Sequence, residues 1–262
     1  MRTIFVGDVH GCLEELRALC DKLALTKDDT LVFLGDLVDR GPDPVGVVRF
    51  VRKLTGFTVK GILGNHEEKA LRWLRHEDKV ASGKQAKNPM KPVRPERAAQ
   101  WRGLDADDRK FLAAQPLVLE FNIAGESWVA VHGGLLPGRA LADQVKKHAD
   151  EIVRCRWVSA EGKHVGMVGG SKEQPEGSFT WMERFDGKYH VAYGHAVHDK
   201  VTFAPRVDKT AAGFETWGID TGCFGGGRLT ALVLDHDRPG HREIVQVQAA
   251  REYYPFDGDG EV

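Results

Sequence analysis

Cysteine and long hydrophobic runs are both scarce in this sequence of 262 residues. The four cysteines are dispersed and form no Cys-x-x-Cys pair, so we expect free, partly buried thiols in a reducing compartment. No apolar run approaches the roughly 18 residues of a membrane span, and the first residues enter a predicted strand, which argues against a signal peptide. The net charge of -1 gives no general attraction to nucleic acid or to a membrane. These absences predict a cytoplasmic protein that binds neither DNA nor a membrane.

Apolar runs of strand length alternate with helical patterns in the first half of the chain. This alternation predicts parallel strands joined by right-handed crossovers. The second half is mostly β, and we expect one α/β (α+β) domain spanning residues 1–262. Strands are predicted at 3–6, 31–34, 59–63, 117–123, 128–131, 189–193, 200–203, 216–220, 228–235 and 243–248. Helices are predicted from Leu13, from Pro44, at 67–76 and at 105–114.

Residues 79–97 break the alternation with lysine, arginine and proline. They are interpreted as the main part of an insertion at about 79–100, for which two readings stay open. One reading is a solvated, mobile segment. The other is a basic flap over an anionic substrate, since clustered positive charge attracts polyanions. A glycine-rich loop is expected at 159–178, and residues 257–262 are expected to fray.

Five apolar runs end in aspartate, histidine or asparagine beside glycine. Asp36 and Asp39, for example, directly follow the run 31–34, and Gly35 marks its end. A side chain at the end of a buried strand is held rigidly and faces the crevice in which open α/β sheets bind ligands. One Asp-x-x-Asp pair is weak evidence, but chance explains five such strand ends poorly. The five segments are 7–11, 35–41, 64–67, 132–134 and 194–195.

These segments offer carboxylate, imidazole and amide oxygen groups without a thiolate. Such a set suits manganese, iron or zinc ions rather than a structural zinc–thiolate site. Six ligands are too many for one ion that keeps an open position, so they favour two ions sharing a carboxylate. Two ions about 3.5–4 Å apart can activate a water and hold both oxygens of a phosphoryl displacement. The candidate ligands are Asp8, His10, Asp36, Asn65, His132 and His195.

In order and content, the five segments resemble the motifs of the calcineurin-like metallophosphoesterases. They are similar to the phosphoprotein-phosphatase branch, with its bacterial serine/threonine phosphatases and symmetric dinucleoside tetraphosphatases, and residues 220–223 and 226–230 extend the similarity. The resemblance implies a four-layer sandwich of two mixed β-sheets flanked by helices, with a dimetal site at the carboxyl ends of strands. It also implies hydrolysis of phosphate esters or anhydrides by direct attack of a hydroxide that bridges two divalent metal ions, with manganese expected and iron or zinc as alternatives.

The resemblance also implies roles for individual residues. Asp36 would bridge the two metal ions. The first ion would be bound with Asp8 and His10, and the second with Asn65, His132 and His195. Glu67 and His198 lie beside motif residues and are expected to support them or to pack.

Three further residues would act on the substrate. His66 would be the general acid, Asp39 would orient it, and Arg40 would bind the phosphate. A second phosphate-binding arginine is expected at Arg154 or Arg156, and the sequence leaves this choice open.

The sequence indicates the type of reaction more clearly than it indicates the substrate. Residues 220–223 and 226–230 look like those of symmetric tetraphosphatases, which split diadenosine tetraphosphate into two ADP. Those enzymes, however, often lack an acid at the position of Asp39 and commonly carry aspartate at the position of Glu67. Residues 39–41, 64–67 and 132–135 look more like protein serine/threonine phosphatases. The expected substrates are therefore dinucleoside polyphosphates or phosphoproteins, with polyphosphate as an alternative. A binding module that keeps the fold without catalysis is a further alternative of a different class.

Overall fold

The computed structural model describes residues 1–167 and 173–256, and its strands form two five-stranded sheets and one small sheet. The strands are β1 Arg2–Val6, β2 Thr30–Phe33, β3 Thr58–Gly61, β4 Val118–Ile123, β5 Glu126–Val131, β6 Trp157–Val158, β7 His164–Val165, β8 Phe179–Thr180, β9 His190–Tyr193, β10 Arg206–Lys209, β11 Glu215–Gly218, β12 Arg228–Asp235 and β13 Glu243–Gln248. The helices are α1 Leu13–Leu23, α2 Pro44–Lys53, α3 Asn65–Ala81, α4 Pro95–Arg102, α5 Ala106–Ala113, α6 Leu141–Lys147 and α7 Ala149–Ile152, with a 3₁₀ turn at Trp181–Arg184.

The first sheet has the strand order β13-β12-β1-β2-β3. Strands β1, β2 and β3 are parallel, and α1 and α2 form the crossovers between them, as the sequence predicts. Strands β12 and β13 return antiparallel beside β1. The carboxyl ends of β1, β2 and β3 therefore lie along one edge of this sheet.

The second sheet has the strand order β10-β11-β9-β5-β4. Its central strands β5 and β9 are parallel, so their carboxyl ends also share an edge. The strands predicted at 117–123 and 128–131 are present as β4 and β5, which form an antiparallel hairpin. Both sheets are thus mixed.

Apolar side chains fill the space between the two sheets. Phe5 from the first sheet stacks on Trp128 from the second at 6.0 Å and meets Phe121 edge-on at 5.5 Å. Five helices, α1 to α5, contribute the core on the outer face of the first sheet, whereas short helices and the small sheet cover the second. The predicted fold, two mixed sheets flanked by helices, is confirmed.

Some predicted elements are wrong. Residues 200–202 form bends and residue 203 has no regular structure, so the strand predicted at 200–203 is absent. The Asp199 carboxylate accepts hydrogen bonds from the backbone N–H groups of Val201 and Thr202 and closes a turn. Strand β10 follows these residues instead. The helix predicted at 67–76 begins at Asn65 and continues to Ala81.

The sequence pattern gives no prediction of α4, α6, α7, β10 or the strands of the small sheet. The loop expected at 159–178 contains β7 and lies partly outside the described residues, as does all of the segment 257–262 that was expected to fray. Within the described part of the chain, no helix has the length and apolar character needed to cross a membrane.

Candidate dimetal centre

The six candidate ligands follow the carboxyl ends of five strands. Asp8 and His10 follow β1, Asp36 follows β2, and Asn65 opens α3 after β3. The other two candidates, His132 and His195, follow β5 and β9 of the second sheet.

The carboxyl-end edges of the two sheets meet through backbone contacts. The N–H of Gly194 donates to the carbonyl of His132 at 3.0 Å, and the N–H of His195 donates to the Asp8 carboxylate at 3.0 Å. This junction is why residues separated by most of the chain lie together.

Asp36 is the centre of the cluster. Its Oδ2 lies 3.4 Å from His10 Nε2, and its Oδ1 lies 3.3 Å from His132 Nε2. The Oδ1 atom of Asn65 is 2.9 Å from both His132 Nε2 and His195 Nδ1. Two groups of donor atoms, each spanning no more than 4.8 Å, therefore share the Asp36 carboxylate: His10, Asp36 and His66, and Asp36, His132 and His195.

Two of the imidazole rings are fixed by backbone carbonyls. His10 Nδ1 lies 2.8 Å from the carbonyl oxygen of Val38, and His132 Nδ1 lies 2.7 Å from that of Leu34. Because a carbonyl only accepts, Nδ1 carries a hydrogen in both rings, and Nε2 faces the cluster. Hydrogen bonds of this kind orient histidine ligands in metal sites.

The cluster concentrates buried negative charge. Burial and the nearby Asp220 carboxylate raise the pKa of Asp8 well above its usual value. Burial would lower the pKa of His132, but the Asp36 carboxylate outweighs it and raises the pKa to about 10. Asp220 Oδ2 is buried and has no hydrogen-bond partner among the described residues. Divalent cations would balance this charge, and the oxygen and nitrogen donors fit such ions.

The backbone around the cluster is strained. Left-handed φ angles are uncommon outside glycine and persist where the surrounding structure enforces them, often at functional sites. Two positions beside the ligands have room only for glycine. A Cβ atom on Gly64 would collide with Asp36 Oδ1, and a Cβ atom on Gly194 would collide with Asp8 Oδ1. The site residues with left-handed φ are His10 at 45°, Asp36 at 51°, Asp39 at 70°, Arg40 at 67° and His195 at 69°.

Asp39 and His66 are in direct contact beside the cluster. His66 Nδ1 donates to Asp39 Oδ2 at 2.6 Å, and His66 Nε2 points toward Asp36, with Oδ2 at 3.9 Å. Burial alone would raise the pKa of Asp39, but the hydrogen bond from His66 and the charge of Arg97 hold it well below its usual range. The pair therefore consists of an ionised carboxylate and an imidazole with Nδ1 protonated.

The three candidate arginines have different surroundings. Arg40 Nη1 lies 2.7 Å from His10 Nε2 and Nη2 lies 3.2 Å from His66 Nε2. Arg156 donates from Nε to His195 Nε2 at 3.1 Å and from Nη2 to the His195 carbonyl. Arg154 instead pairs with the Glu68 carboxylate and lies outside the cluster. Arg40, which follows β2, and Arg156, which precedes β6, thus both contact candidate ligands.

Glu67 supports the loop that carries Asp36. Its buried carboxylate accepts hydrogen bonds from the backbone N–H groups of Asp36, Leu37 and Val38 at 2.7–3.0 Å, and from that of Gly64 at 3.0 Å. The same loop caps α3, since the N–H of His66 donates to Asp36 Oδ1.

Two residues near the site were missed by sequence reasoning. Arg97 and Trp101, both on α4, contact the Asp39 carboxylate. The sequence places Arg97 inside the basic insertion but gives no signal that its side chain turns inward, and Trp101 belongs to none of the motifs.

Comparisons with known proteins identify the family of this chain. The profile of the calcineurin-like phosphoesterase family matches residues 1–199. The chain is 30% identical to the asymmetrical bis(5'-nucleosyl)-tetraphosphatase PrpE of Bacillus velezensis over 95% of this chain and 93% of that protein. It is 27% identical to the symmetrical bis(5'-nucleosyl)-tetraphosphatase of Pectobacterium atrosepticum, over 91% and 93% of the two chains.

A solved structure is similar over the same extent. The crystal structure of a protein assigned as a diadenosine tetraphosphatase superposes with a TM-score of 0.69 at 26% identity, covering 95% of this chain and 93% of that one. The resemblance inferred from the five motif segments is confirmed at the level of the family. The chain belongs to the calcineurin-like phosphoesterases, a class of metal-dependent hydrolases of phosphate bonds.

Proposed function

We propose that this hydrolase acts on dinucleoside polyphosphates, with cleavage of diadenosine tetraphosphate and one water into two ADP as its main reaction. The observation that carries the proposal is that five donor side chains surround Asp36 between two guanidinium groups, those of Arg40 and Arg156. A polyphosphate chain presents several anionic oxygens, which arginine binds with paired hydrogen bonds. The names of both relatives support this substrate class.

The six converging residues are the proposed metal ligands. Asp36 would be shared, and the carbonyls of Val38 and Leu34 would keep His10 and His132 in the tautomer that offers Nε2. Two divalent ions, manganese in this proposal, would supply charge neutralisation at the phosphate and a water of lowered pKa. Asn65 completes the set with a neutral oxygen donor beside His132.

The remaining site residues would bind and protonate the substrate. Arg40 and Arg156 would hold non-bridging phosphate oxygens, and the position of Arg154 against Glu68 favours Arg156 as the second arginine. His66 would donate a proton to the leaving oxygen from Nε2, because Asp39 occupies Nδ1. This proton would reduce the negative charge that develops on the leaving oxygen.

Protein phosphatase activity is a second candidate. It is favoured by the Asp39–His66 contact, since an acid at this position is the feature in which the sequence resembles protein phosphatases rather than symmetric tetraphosphatases. Inorganic polyphosphate is a further possible substrate on charge grounds alone.

One assay separates these substrates. The purified protein is stripped with a chelator, reloaded with manganese, iron or zinc, and incubated with diadenosine tetraphosphate, a phosphoserine peptide or polyphosphate. We expect two ADP from the nucleotide at the highest kcat/KM. If the products are AMP and ATP, the enzyme cleaves the nucleotide asymmetrically rather than symmetrically. Turnover of the peptide alone would refute the nucleotide proposal.

Two variants control for contaminating phosphatases. His66→Asn should lower kcat on diadenosine tetraphosphate by roughly 100-fold or more, as expected for loss of a general acid. His76→Asn, on the same helix, should leave kcat unchanged. Equal rates for His66→Asn and the unaltered protein would remove the catalytic role of His66 and favour a fold that binds without catalysis.

We also propose that residues 1–262 form one phosphoesterase domain with an insertion at about 79–100. Support comes from β12 and β13, which lie late in the chain yet complete the sheet that β1 begins. The cytoplasmic location stays a prediction.

A further inference from the structure

The Asp39 carboxylate is held by three donors. His66 Nδ1 donates to Oδ2 at 2.6 Å, and Trp101 Nε1 donates to Oδ1 at 2.6 Å. The guanidinium of Arg97 contacts Oδ2 as well, and its Nη2 lies 3.2 Å from His66 Nδ1. Both carboxylate oxygens are therefore fixed, one by the indole and one by the imidazole with the arginine.

Both additional donors come from α4, at the end of the basic insertion. Trp101 is 1% exposed and packs against Trp73 of α3 with ring centroids 5.4 Å apart. The Arg97 guanidinium lies over the Trp101 ring at 4.7 Å. Met90 and Val93 of the insertion also pack against the core on this side of the first sheet. The insertion is thus anchored next to Asp39 rather than attached only at its ends.

We propose that Arg97 and Trp101 are positioning residues for the proposed acid His66, acting through Asp39, so that α4 couples the basic insertion to protonation of the leaving group. The inference rests on the proposed function and adds to it two residues outside the family motifs. It also changes the reading of residues 79–97: at its C-terminal end, the insertion is part of the support of the site.

The physical reason is orientational. A carboxylate can turn about χ2 unless both oxygens are held, and Asp39 lies in a bend with a φ of 70° rather than in a strand or helix. With Oδ1 held by Trp101, Oδ2 is left facing His66 Nδ1, and the ring then presents Nε2 to the cluster. The cation of Arg97 also compensates the buried charge of Asp39, which would otherwise be costly. Removing Trp101 leaves Oδ1 without its donor, and removing Arg97 leaves the buried charge of Asp39 without its cation, so either change weakens the hold of Asp39 on the imidazole.

Leaving-group dependence tests this role. Protonation matters for a poor leaving group such as phenolate and little for an activated one such as dinitrophenolate, because the latter departs as a stable anion. The manganese-loaded full-length protein and its variants are assayed with phenyl phosphate and dinitrophenyl phosphate. We expect Arg97→Met to lower kcat on phenyl phosphate by roughly 10- to 100-fold but on dinitrophenyl phosphate by less than about threefold. Trp101→Phe should show the same selective loss with a smaller amplitude.

The matched control is Arg102→Met. Arg102 lies on the same helix, pairs with Glu77 and stacks on Trp73, but does not contact Asp39. It should leave both rates within about twofold of the unaltered protein. Circular dichroism and thermal unfolding show whether each variant folds. If Arg97→Met does not fold, the positioning role is judged from Trp101→Phe, by comparing its loss of kcat on phenyl phosphate with its loss on dinitrophenyl phosphate.

His66→Asn provides the reference that separates the two proposals. If His66→Asn shows the selective loss and Arg97→Met does not, or if Arg97→Met loses both substrates equally while folded, the positioning role is overturned and the acid role stands. If His66→Asn itself lacks the selective loss, the acid role fails and the inference fails with it. Combining Arg97→Met with His66→Asn should add no further loss, since the two act through one step.

Discussion

Asp29 provides a test of how the first sheet is held at the end opposite the site. Its carboxylate is 2% exposed and accepts hydrogen bonds from the backbone N–H of Arg2 at 3.0 Å, the Nε of Arg2 at 3.2 Å and the backbone N–H of Thr26 at 2.9 Å. Its own carbonyl accepts from the N–H of Thr58 at 3.0 Å. Asp29 therefore joins the beginnings of β1, β2 and β3.

The contribution of Asp29 to the free energy of unfolding follows from its pKa. Burial would raise this pKa, but the hydrogen bonds from Arg2 and Thr26 outweigh it and lower the pKa from 3.8 to about 2. A depressed carboxylate pKa contributes stability that is present above the unfolded value and is lost as the pH falls through the folded one. At about 1.4 kcal/mol per unit, the shift corresponds to about 2 kcal/mol at neutral pH, lost between about pH 4 and about pH 2.

The perturbation is Asp29→Asn, with Asp28→Asn as the control because Asp28 is its exposed neighbour. Urea unfolding with chelator present at each pH removes any contribution from metal binding. We expect Asp29→Asn to lower the free energy of unfolding by about 2 kcal/mol at neutral pH, with a difference that shrinks toward acid pH. Asp28→Asn should stay within about 0.5 kcal/mol. A difference for Asp29→Asn that does not change with pH would refute the ionic origin of the effect.

Three further predictions concern other parts of the molecule. Ala24 ends α1 with a left-handed φ of 44°, so Ala24→Gly should raise the free energy of unfolding by about 0.5–1 kcal/mol. Ala114 ends α5 with an ordinary φ of −83°, so Ala114→Gly should lower the free energy of unfolding. Urea unfolding measures both changes. Glu67→Gln leaves backbone donors facing an amide NH₂ and should weaken the apparent manganese affinity by about 10- to 100-fold in an activity titration, and an unchanged affinity would contradict this support of the Asp36 loop. Chelation should lower Tm and manganese should restore it, by about 2.7 kcal/mol of stability at 100 times Kd, but not in Asp36→Asn; an equal restoration in that variant would place the bound metal elsewhere.

The candidate ligands were predictable because each is local to a strand end. Asp36 and His132 follow apolar runs and lie beside glycine, and the parallel order of the strands brings such ends to one edge. The choice between Arg154 and Arg156 was not predictable, since it depends on which guanidinium meets Glu68 and which meets a histidine on another strand. The turn at 200–203 was misread as a strand because its side-chain capping by Asp199 outweighs β propensity.

Arg97 and Trp101 show a different limit. Their contacts with Asp39 span 58 and 62 positions, and no periodicity or spacing relates the members of such a contact. A basic, proline-containing segment has the composition of a solvated loop, so composition alone favoured an exposed insertion. What decides its course is a small apolar set on α4, which packs the helix against α2 and α3 and places the Arg97 guanidinium over the Trp101 ring.

The division of the site between two sheets has a mechanical consequence. The first sheet provides four of the candidate ligands and Arg40, while His132, His195 and Arg156 come from the second sheet and the loop beside it. The apolar layer between the sheets and hydrogen bonds at their shared edge, such as that from His132 to the Leu34 carbonyl, hold these two groups at a fixed distance. Because packed interiors deform little, that layer can hold donors from both sheets around Asp36 even though the buried carboxylates repel one another. The cations would then add the attraction that the protein alone lacks, so binding of the metals and docking of the two sheets should stabilise each other.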